Sequence, residues 1–396
     1  MKTKISKQIL SILLCIMMVL AMVPMQTVFA VEATTPPLND EGYYEISTVE
    51  HLKWFADMHA VEDPANINNA KLMADITINE NVLNDDGTLN TDNTDYVSTG
   101  LIRYFYGTFD GNGHKISGIY SSFTGNGNGF IRENYGVIKN LGIVDSYFYS
   151  DYDGIAASGA ICGKTYDGEI INCYSSSTVL STGYRVGGIC GYATSASKII
   201  DCYNTGNVYS SKNFGEYGEV GGIVGWLAYN SLVKGCYNEG TVSGDGRRTG
   251  GIVGENLHST IEDCYNSGTV SSTRAYVGGI CGDNYGYSAD TIIRNCYNTG
   301  TVSTADFDAG GISGRNGWQY ALIENCCNFG SVTAVRTAGG ISGNNTGNEG
   351  EYATIRNCYN SGSVNCTTTY EAGGIACVSY GTLKNCYNTG EVTCAK

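Results

Sequence analysis

Between residue 172 and the C-terminus one short motif recurs eight times. Its core reads Cys-Tyr-Asn-x-Gly-x-Val, as in Cys202-Tyr203-Asn204-Thr205-Gly206-Asn207-Val208. The cysteine falls at Cys173, Cys202, Cys236, Cys264, Cys296, Cys326, Cys358 and Cys386, in steps of 28 to 34 residues. A Gly-Gly-Ile element precedes most of them, beginning at Gly187, Gly221, Gly250, Gly278, Gly310, Gly339 and Gly373. Self-similarity at a period of about 20–50 residues marks a solenoid or an array. Each repeat then touches only its neighbours, and the core is spread along an axis.

One repeat shows how a coil is built. Gly250-Gly251-Ile252-Val253-Gly254 is a short apolar run bounded by glycines and reads as a strand. Thr260-Ile261-Glu262-Asp263-Cys264-Tyr265 reads as a second strand and Thr269-Val270-Ser271 as a third. Asn266-Ser267-Gly268 between them is a turn, because Asn and Gly tolerate positive φ. Three short strands with three corners describe one coil of a parallel β-helix. No repeat carries an apolar stripe at helical spacing, which excludes helical and leucine-rich solenoids. An apolar residue sits three positions before each cysteine, as Ile261 before Cys264, and this breaks two-residue alternation. Both can face inward only if a bend lies between them. The polar residue beside the cysteine (Asn172, Asp201, Asp263, Asn295, Asn325, Asn357 or Asn385) suits that bend. Coil length varies at 212–219 and 344–352, which are expected to be surface loops.

Stacked in register, each repeated position becomes a column. Asn204, Asn238, Asn266 and Asn298 are expected to form a hydrogen-bonded ladder. Cys202, Cys236, Cys264 and Cys296 are expected to form a column of buried free thiols acting as small apolar residues. Removing Cys15 with a leader makes the total of 16 cysteines odd. Parallel Cβ vectors in a column also make poor bridge geometry. The tyrosines after the cysteines, among them Tyr203, Tyr237, Tyr265 and Tyr297, then point outward. Such an aromatic stripe can stack sugar rings, grip peptide, or pack under loops.

The flanks divide the chain. Residues 1–30 read as a secretory signal, with Lys2, Lys4 and Lys7, an apolar run at 9–23, and Val28-Phe29-Ala30 as cleavage site. No later stretch is apolar enough to span a membrane. Residues 31–41 read as a linker, 42–120 as an N-terminal cap with irregular first coils, and 121–396 as the repeats. Ser47-Thr48-Val49-Glu50 matches a capping box and predicts a helix over 48–59, with Leu52, Phe55 and Met58 on one face, covering the first coil. The segment 106–116 reads as a hairpin or first coil, and 136–142 as a strand without its cysteine. The acidic stretch 79–96 (Asp85, Asp86, Asp92, Asp95) does not match an EF-hand and reads as a solvated loop. Ca²⁺ there is the one cofactor considered; otherwise none is expected. Nothing after Val392 resembles a cap, so a partner, a further domain or the last loops are expected to cover that edge.

The formal net charge of −15 becomes −18 when the three leader lysines go. So acidic a chain disfavours nucleic acid and anionic membrane surfaces as partners. The only histidines, His51, His59, His114 and His258, form no His-Glu-x-x-His zinc motif. No Gly-x-Ser-x-Gly elbow occurs, and Gly125 to Gly129 lacks the setting of a phosphate loop. The pairs Asp151 with Asp153 and Asp306 with Asp308 are the candidates for a glycan-cleaving site. Arg247, Arg248 and Arg274 are candidates for holding an acidic sugar. All these residues read more simply as solvated loops, and no catalytic or metal residue is assigned.

Gly-Gly-Ile-Val-Gly followed by Ile-x-Asp/Asn-Cys-Tyr-Asn-x-Gly-x-Val resembles the GLUG-motif repeat of bacterial secreted and surface proteins, from about Gly159 to Val392. That repeat also occurs in non-catalytic regions of IgA-specific metalloendopeptidases. Glu45-Ile46-Ser47, Asp75-Ile76 and Gly107-Thr108-Phe109-Asp110-Gly111-Asn112-Gly113 resemble the segment that often precedes it. The resemblance implies an all-β, right-handed parallel β-helix, here of about ten coils with a short N-terminal capping helix. It implies display outside the cell, commonly for adhesion, and no defined active site. The expectation is a non-enzymatic secreted or cell-surface protein that binds a host or matrix glycan or protein. A polysaccharide lyase or glycoside hydrolase, and a passive stalk, are the alternatives.

Overall fold

The computed structural model describes residues 34–396 except 153, 155, 212–217, 348–352 and 396. The expected signal at 1–30, part of the linker, and most of the two variable loops lie outside the described residues. The body is an all-β parallel solenoid of about 11 turns. A coil contains five short strands rather than the three expected: Thr249–Gly250, Val253–Leu257, Thr260–Glu262, Tyr265–Asn266 and Val270–Ser272. Each lies parallel to its equivalent one coil away, like on like: Ile261 pairs Ile293, Tyr265 pairs Tyr297, and Val270 pairs Val302.

The extra corner comes from the glycine pair. Gly250 ends one strand, Val253 begins the next, and the chain turns between them. A Cβ on Gly251 would lie 2.1 Å from the Gly279 carbonyl oxygen and 2.5 Å from Cγ of Asn266. Only glycine fits beside the asparagine column, so the two most regular features of the repeat have one steric cause.

Ile252, Val253, Ile261, Cys264 and Val270 all have no exposed surface, and neighbouring coils continue the same core. Burying one such aliphatic side chain is worth about 1.5–3 kcal/mol. Ile261 and Cys264 both reach inward because Asp263 takes a left-handed conformation with φ of 56°. Asn172, Asn295, Asn325 and Asn357 do the same at 50°, 56°, 54° and 55°. Asp and Asn enter this region at little cost, and Gly235 fills it in the coil that has neither. These bend residues also bond along the axis, Asn295 Nδ2 to Asp263 Oδ1 at 3.1 Å and Asn325 Nδ2 to Asn295 Oδ1 at 3.2 Å.

Between Ile261 and the bend, Glu262 points out. On successive rungs that outer position reads Lys234, Glu262, Arg294, Glu324 and Arg356, alternating in sign. Lys234 Nζ lies 2.8 Å from Glu262, Arg294 also pairs with Glu262, and Arg356 lies 2.6 Å from Glu324.

Two earlier segments join this stack. Thr108–Asp110 and Lys115–Ser117 lie in different parallel columns, so 106–116 is part of a coil and not a hairpin. The helix is Val49–Met58. Its N-cap is Thr48, one residue later than the capping box suggested, because Thr48 Oγ1 accepts from the His51 amide at 3.2 Å. His51 Nδ1 in turn accepts from the Ser47 amide at 3.3 Å and replaces the expected glutamate. Leu52 and Phe55 are fully buried, with Phe55 6.3 Å from Phe105 and 6.2 Å from Phe109. His51 and Ala56 take the buried place expected for Met58. At the far end Leu383 and Val392 are 44% and 40% exposed, whereas Ile355 and Val364 one coil earlier are at 0%. No described segment covers that last coil.

The central ladder is fully buried and fully bonded. Asn266 Nδ2 donates to the Gly268 carbonyl and to Asn298 Oδ1, both at 2.9 Å, and Asn266 Oδ1 accepts from Asn238 Nδ2 at 2.9 Å. Asn266→Ala removes these bonds and leaves neighbouring amide groups buried without partners. That costs about 3 kcal/mol, read as a lower urea midpoint, while Ser267→Ala on the exposed side leaves it unchanged. Thiol labelling of the native chain is expected at exposed Cys394 and not at the buried Cys202, Cys236, Cys264 and Cys296 until denaturant is added.

Candidate functional site

In-register pairing stacks the tyrosines of the repeat on one another. Tyr174, Tyr203, Tyr237, Tyr265 and Tyr297 have ring centroids 5.0, 4.8, 4.8 and 5.1 Å apart, with planes within 6° of parallel. The stripe is therefore a staircase whose ring faces are shared between neighbours, not a row of open faces. What stays open to water are the ring edges, with Tyr297 41% exposed. Cys327 interrupts the series, which resumes with Tyr359 and Tyr387 at 4.5 Å.

The other two columns lie beyond the reach of a ligand. Asn204, Asn238, Asn266 and Asn298 are fully buried, and so are Cys202, Cys236 and Cys264, with Cys296 at 1%. Cys264 Sγ lies 3.1 Å from the Glu262 carbonyl oxygen, and burial pushes the Cys202, Cys236 and Cys264 thiols well up. A further buried ladder escaped the sequence reading: Asn256 to Asn284, Asn284 to Asn316 and Asn316 to Asn345, at 2.8, 2.8 and 2.9 Å. Its signal was present as the second residue after Val253-Gly254 and its equivalents, but it is regular over only four coils.

The acidic pairs do not form open sites. Asp308 is buried rather than on a solvated loop, and its carboxyl accepts from Thr337 Oγ1 at 2.6 Å. Burial raises its pKa, with Thr337 opposing. Asp306 lies 3.8 Å from Arg336. Asp151 accepts from Thr182 Oγ1 at 3.3 Å, and Asp153 is outside the described residues. His258 Nε2 lies 3.3 Å from exposed Ser288 Oγ and also accepts from the Ser288 amide, with no carboxylate of the described residues bonded to its ring. The stretch 79–96 is not a free loop. It is a strap with a Leu83–Leu89 bridge whose tip crosses the coils, where Thr178 Oγ1 donates to the Gly87 carbonyl at 2.5 Å and Asn207 Nδ2 to that of Asp86 at 3.1 Å. A cavity of about 430 Å³ lies beneath, lined by Asp85, Asp86, Asp145, Ser176 and Thr205 among others. No group of side chains able to hold a metal ion occurs among the described residues.

A row of largely buried charged side chains was not revealed by the sequence. On one sheet Tyr192, Trp226, Glu255, Asp283 and Arg315 follow one another on successive rungs. On the adjoining sheet Arg185 pairs Glu219, and Arg248 and Asp308 precede the next strands. Arg248, expected on a solvated loop, is instead only 15% exposed. Its Nη1 lies 3.3 Å from Glu219, and its Nε lies 3.2 Å from Asp283 and 3.6 Å from Glu255. Arg315 clasps Asp283 through Nε at 2.8 Å and Nη2 at 2.5 Å. Burial pushes Asp283 up, but Arg315 and Arg248 more than offset it and hold the carboxyl below its usual range. Burial dominates at Glu255 and pushes it up to about 8. Arg185 lies 3.8 Å from the centre of the Trp226 ring, which stacks on Tyr192 at 4.9 Å.

No described helix is long and apolar enough to cross a membrane. No curated protein matches the chain. A solved structure of a Bacteroides ovatus protein provisionally named an immunoglobulin A1 protease is similar at 20% identity, covering 90% of this chain and 85% of that one, with a TM-score of 0.43. A likeness at that score carries no argument. The GLUG motif matches residues 182–209, 216–243, 245–271 and 273–303. These matches contain Tyr203, Tyr237, Tyr265 and Tyr297 with their cysteines and asparagines, and this stretch of the chain is a run of GLUG-motif repeats.

Proposed function

We propose that the array is a non-catalytic ligand-display protein, secreted or held at the cell surface, that reads a host or matrix glycan or protein along the tyrosine staircase. The observation that carries this reading is the staircase itself. Stacking fixes five rings at one rung spacing, and none of the hydroxyls of Tyr203, Tyr237, Tyr265 and Tyr297 is bonded within the described residues. A row of fixed phenol edges suits an extended partner with repeated hydroxyl or amide groups, each contact adding to the last through high local concentration. The net charge of −15 speaks against a polyanionic partner.

One observation favours glycan cleavage instead. Glu255 is held toward its neutral form and Asp283 toward its ionised form on successive rungs, the arrangement an acid and base pair needs. Against it stands burial. Asp283 has no exposed surface, Glu255 has 8%, the Arg248 guanidinium reaches both carboxyls, and Arg315 clasps Asp283 from the next rung.

The Tyr237→Phe/Tyr265→Phe double variant keeps the stacking and removes two hydroxyls. On a glycan and matrix-protein array its retention is expected to fall roughly tenfold or more, two lost hydrogen bonds of about 1 kcal/mol each, with no product released by the wild type. Retention by this variant and by Tyr237→Ala/Tyr265→Ala equal to that of the wild type would sink the staircase as the reader. Shortened glycan products would favour the enzyme, and no ligand at all the stalk.

A further inference from the structure

The row around Glu255 has more acid than base. Among the described residues the carboxyls facing it are Glu219, Glu255, Asp283 and Asp308, and the cations are Arg185, Arg248 and Arg315. The phenols of Tyr276 and Tyr285 complete its walls, Arg315 lying 4.4 and 5.1 Å from their ring centres. All four carboxyl residues are 8% exposed or less. An uncompensated charge in such a place costs several kcal/mol, and taking up a proton is the ordinary way out.

The geometry says which carboxyl takes it. Asp283 has two nitrogens of Arg315 and one of Arg248 within 3.2 Å. Glu219 accepts from Arg248 Nη1 at 3.3 Å, and Asp308 accepts from Thr337. The Arg248 guanidinium stands 3.6 Å from Glu255, beyond hydrogen-bond length, and the partner of Glu255 one rung away is Asp283. Like charges directly opposite in a sheet repel. On the other side its rung partner is Trp226, covered by Arg185, whose buried Nε has no hydrogen-bond partner among the described residues. The Trp226 indole N–H is also buried without one.

We propose that Glu255 carries a proton in the folded chain at neutral pH and that its release draws Arg185 off Trp226, a proton-controlled latch at mid-length of the repeat array. The burial that lifts Glu255 sets the range over which this occurs. Glu219 and Asp308 are displaced in the same direction by burial, and Asp283 in the opposite one.

The sign follows from linkage. The folded carboxyl keeps a proton that the unfolded one loses above its ordinary value of 4.5, so stability falls as pH rises from there to about 8 and levels beyond. The test uses the full chain with Trp54→Phe and Trp318→Phe, which leaves Trp226 as the only tryptophan of three. Its emission, titrated from pH 5 to 10, is expected to show a transition centred near 8 that is absent in Glu255→Gln. Glu255→Gln mimics the protonated form, and its melting temperature is expected to lose most of the fall seen in the parent between pH 5 and 8. Infrared difference spectra give an independent reading, a protonated carboxyl band present at pH 6, lost at pH 9 and missing from the variant. A flat Trp226 titration, or a transition or band that persists in Glu255→Gln, would overturn the proposal.

Discussion

Every repeated side chain in this protein is packed against a copy of itself, about 4.8 Å away, because parallel strands stack one coil on the next. This single constraint decides which residues the repeat can tolerate. A residue is admissible in a column only if it can lie against its own kind. Asparagine qualifies because an amide both donates and accepts, and the Asn204 to Asn388 ladder bonds each amide to the next. Tyrosine qualifies through its face, isoleucine and valine through contact alone, and cysteine through contact with a thiol that bonds backbone groups. The glycine pair is the negative image of the asparagine, the gap that the ladder requires.

This explains what the sequence made legible. Columns of identical residues announce themselves as a period, so the coil, the cysteine and asparagine positions and the bend at Asp263 could be read from spacing. The left-handed φ at Asn172, Asp201, Asp263, Asn295, Asn325, Asn357 and Asn385 is the physical content of a three-residue offset between two buried side chains. The ring geometry was less legible. Outward-facing tyrosines follow from alternation, but whether the rings lie open or stack depends on rung spacing, and that emerges only when the coils are superposed. The corner between Gly251 and Ile252 was hidden because its cause is spatial, Asn266 across the same coil and the Gly279 carbonyl one coil on.

Columns of charge obey the opposite rule and so leave no period. A charged residue cannot lie against its own kind, and the outer position alternates as Lys234, Glu262, Arg294, Glu324 and Arg356. Read coil by coil, such a position looks variable and uninformative. Its order appears only along the axis, which is why Arg248 and Asp308 resembled loop residues in the sequence although the fold buries both.

The same rule singles out Glu255. In the alternating outer column each carboxylate sits between cations, and hydrogen bonds from Lys234 and Arg294 hold the Glu262 carboxyl below its usual range although it is buried. The buried row breaks the alternation where Glu255 follows Trp226 and precedes Asp283. Arg315 and Arg248 can satisfy one of two adjacent acids, and their short contacts go to Asp283. A repeat fold that multiplies each favourable contact also multiplies each unfavourable one. It tolerates this exception because the clash occurs at one rung pair and a single proton removes it. A second carboxylate in register beyond Asp283 would have no such remedy, and in the next coil that place holds Arg315.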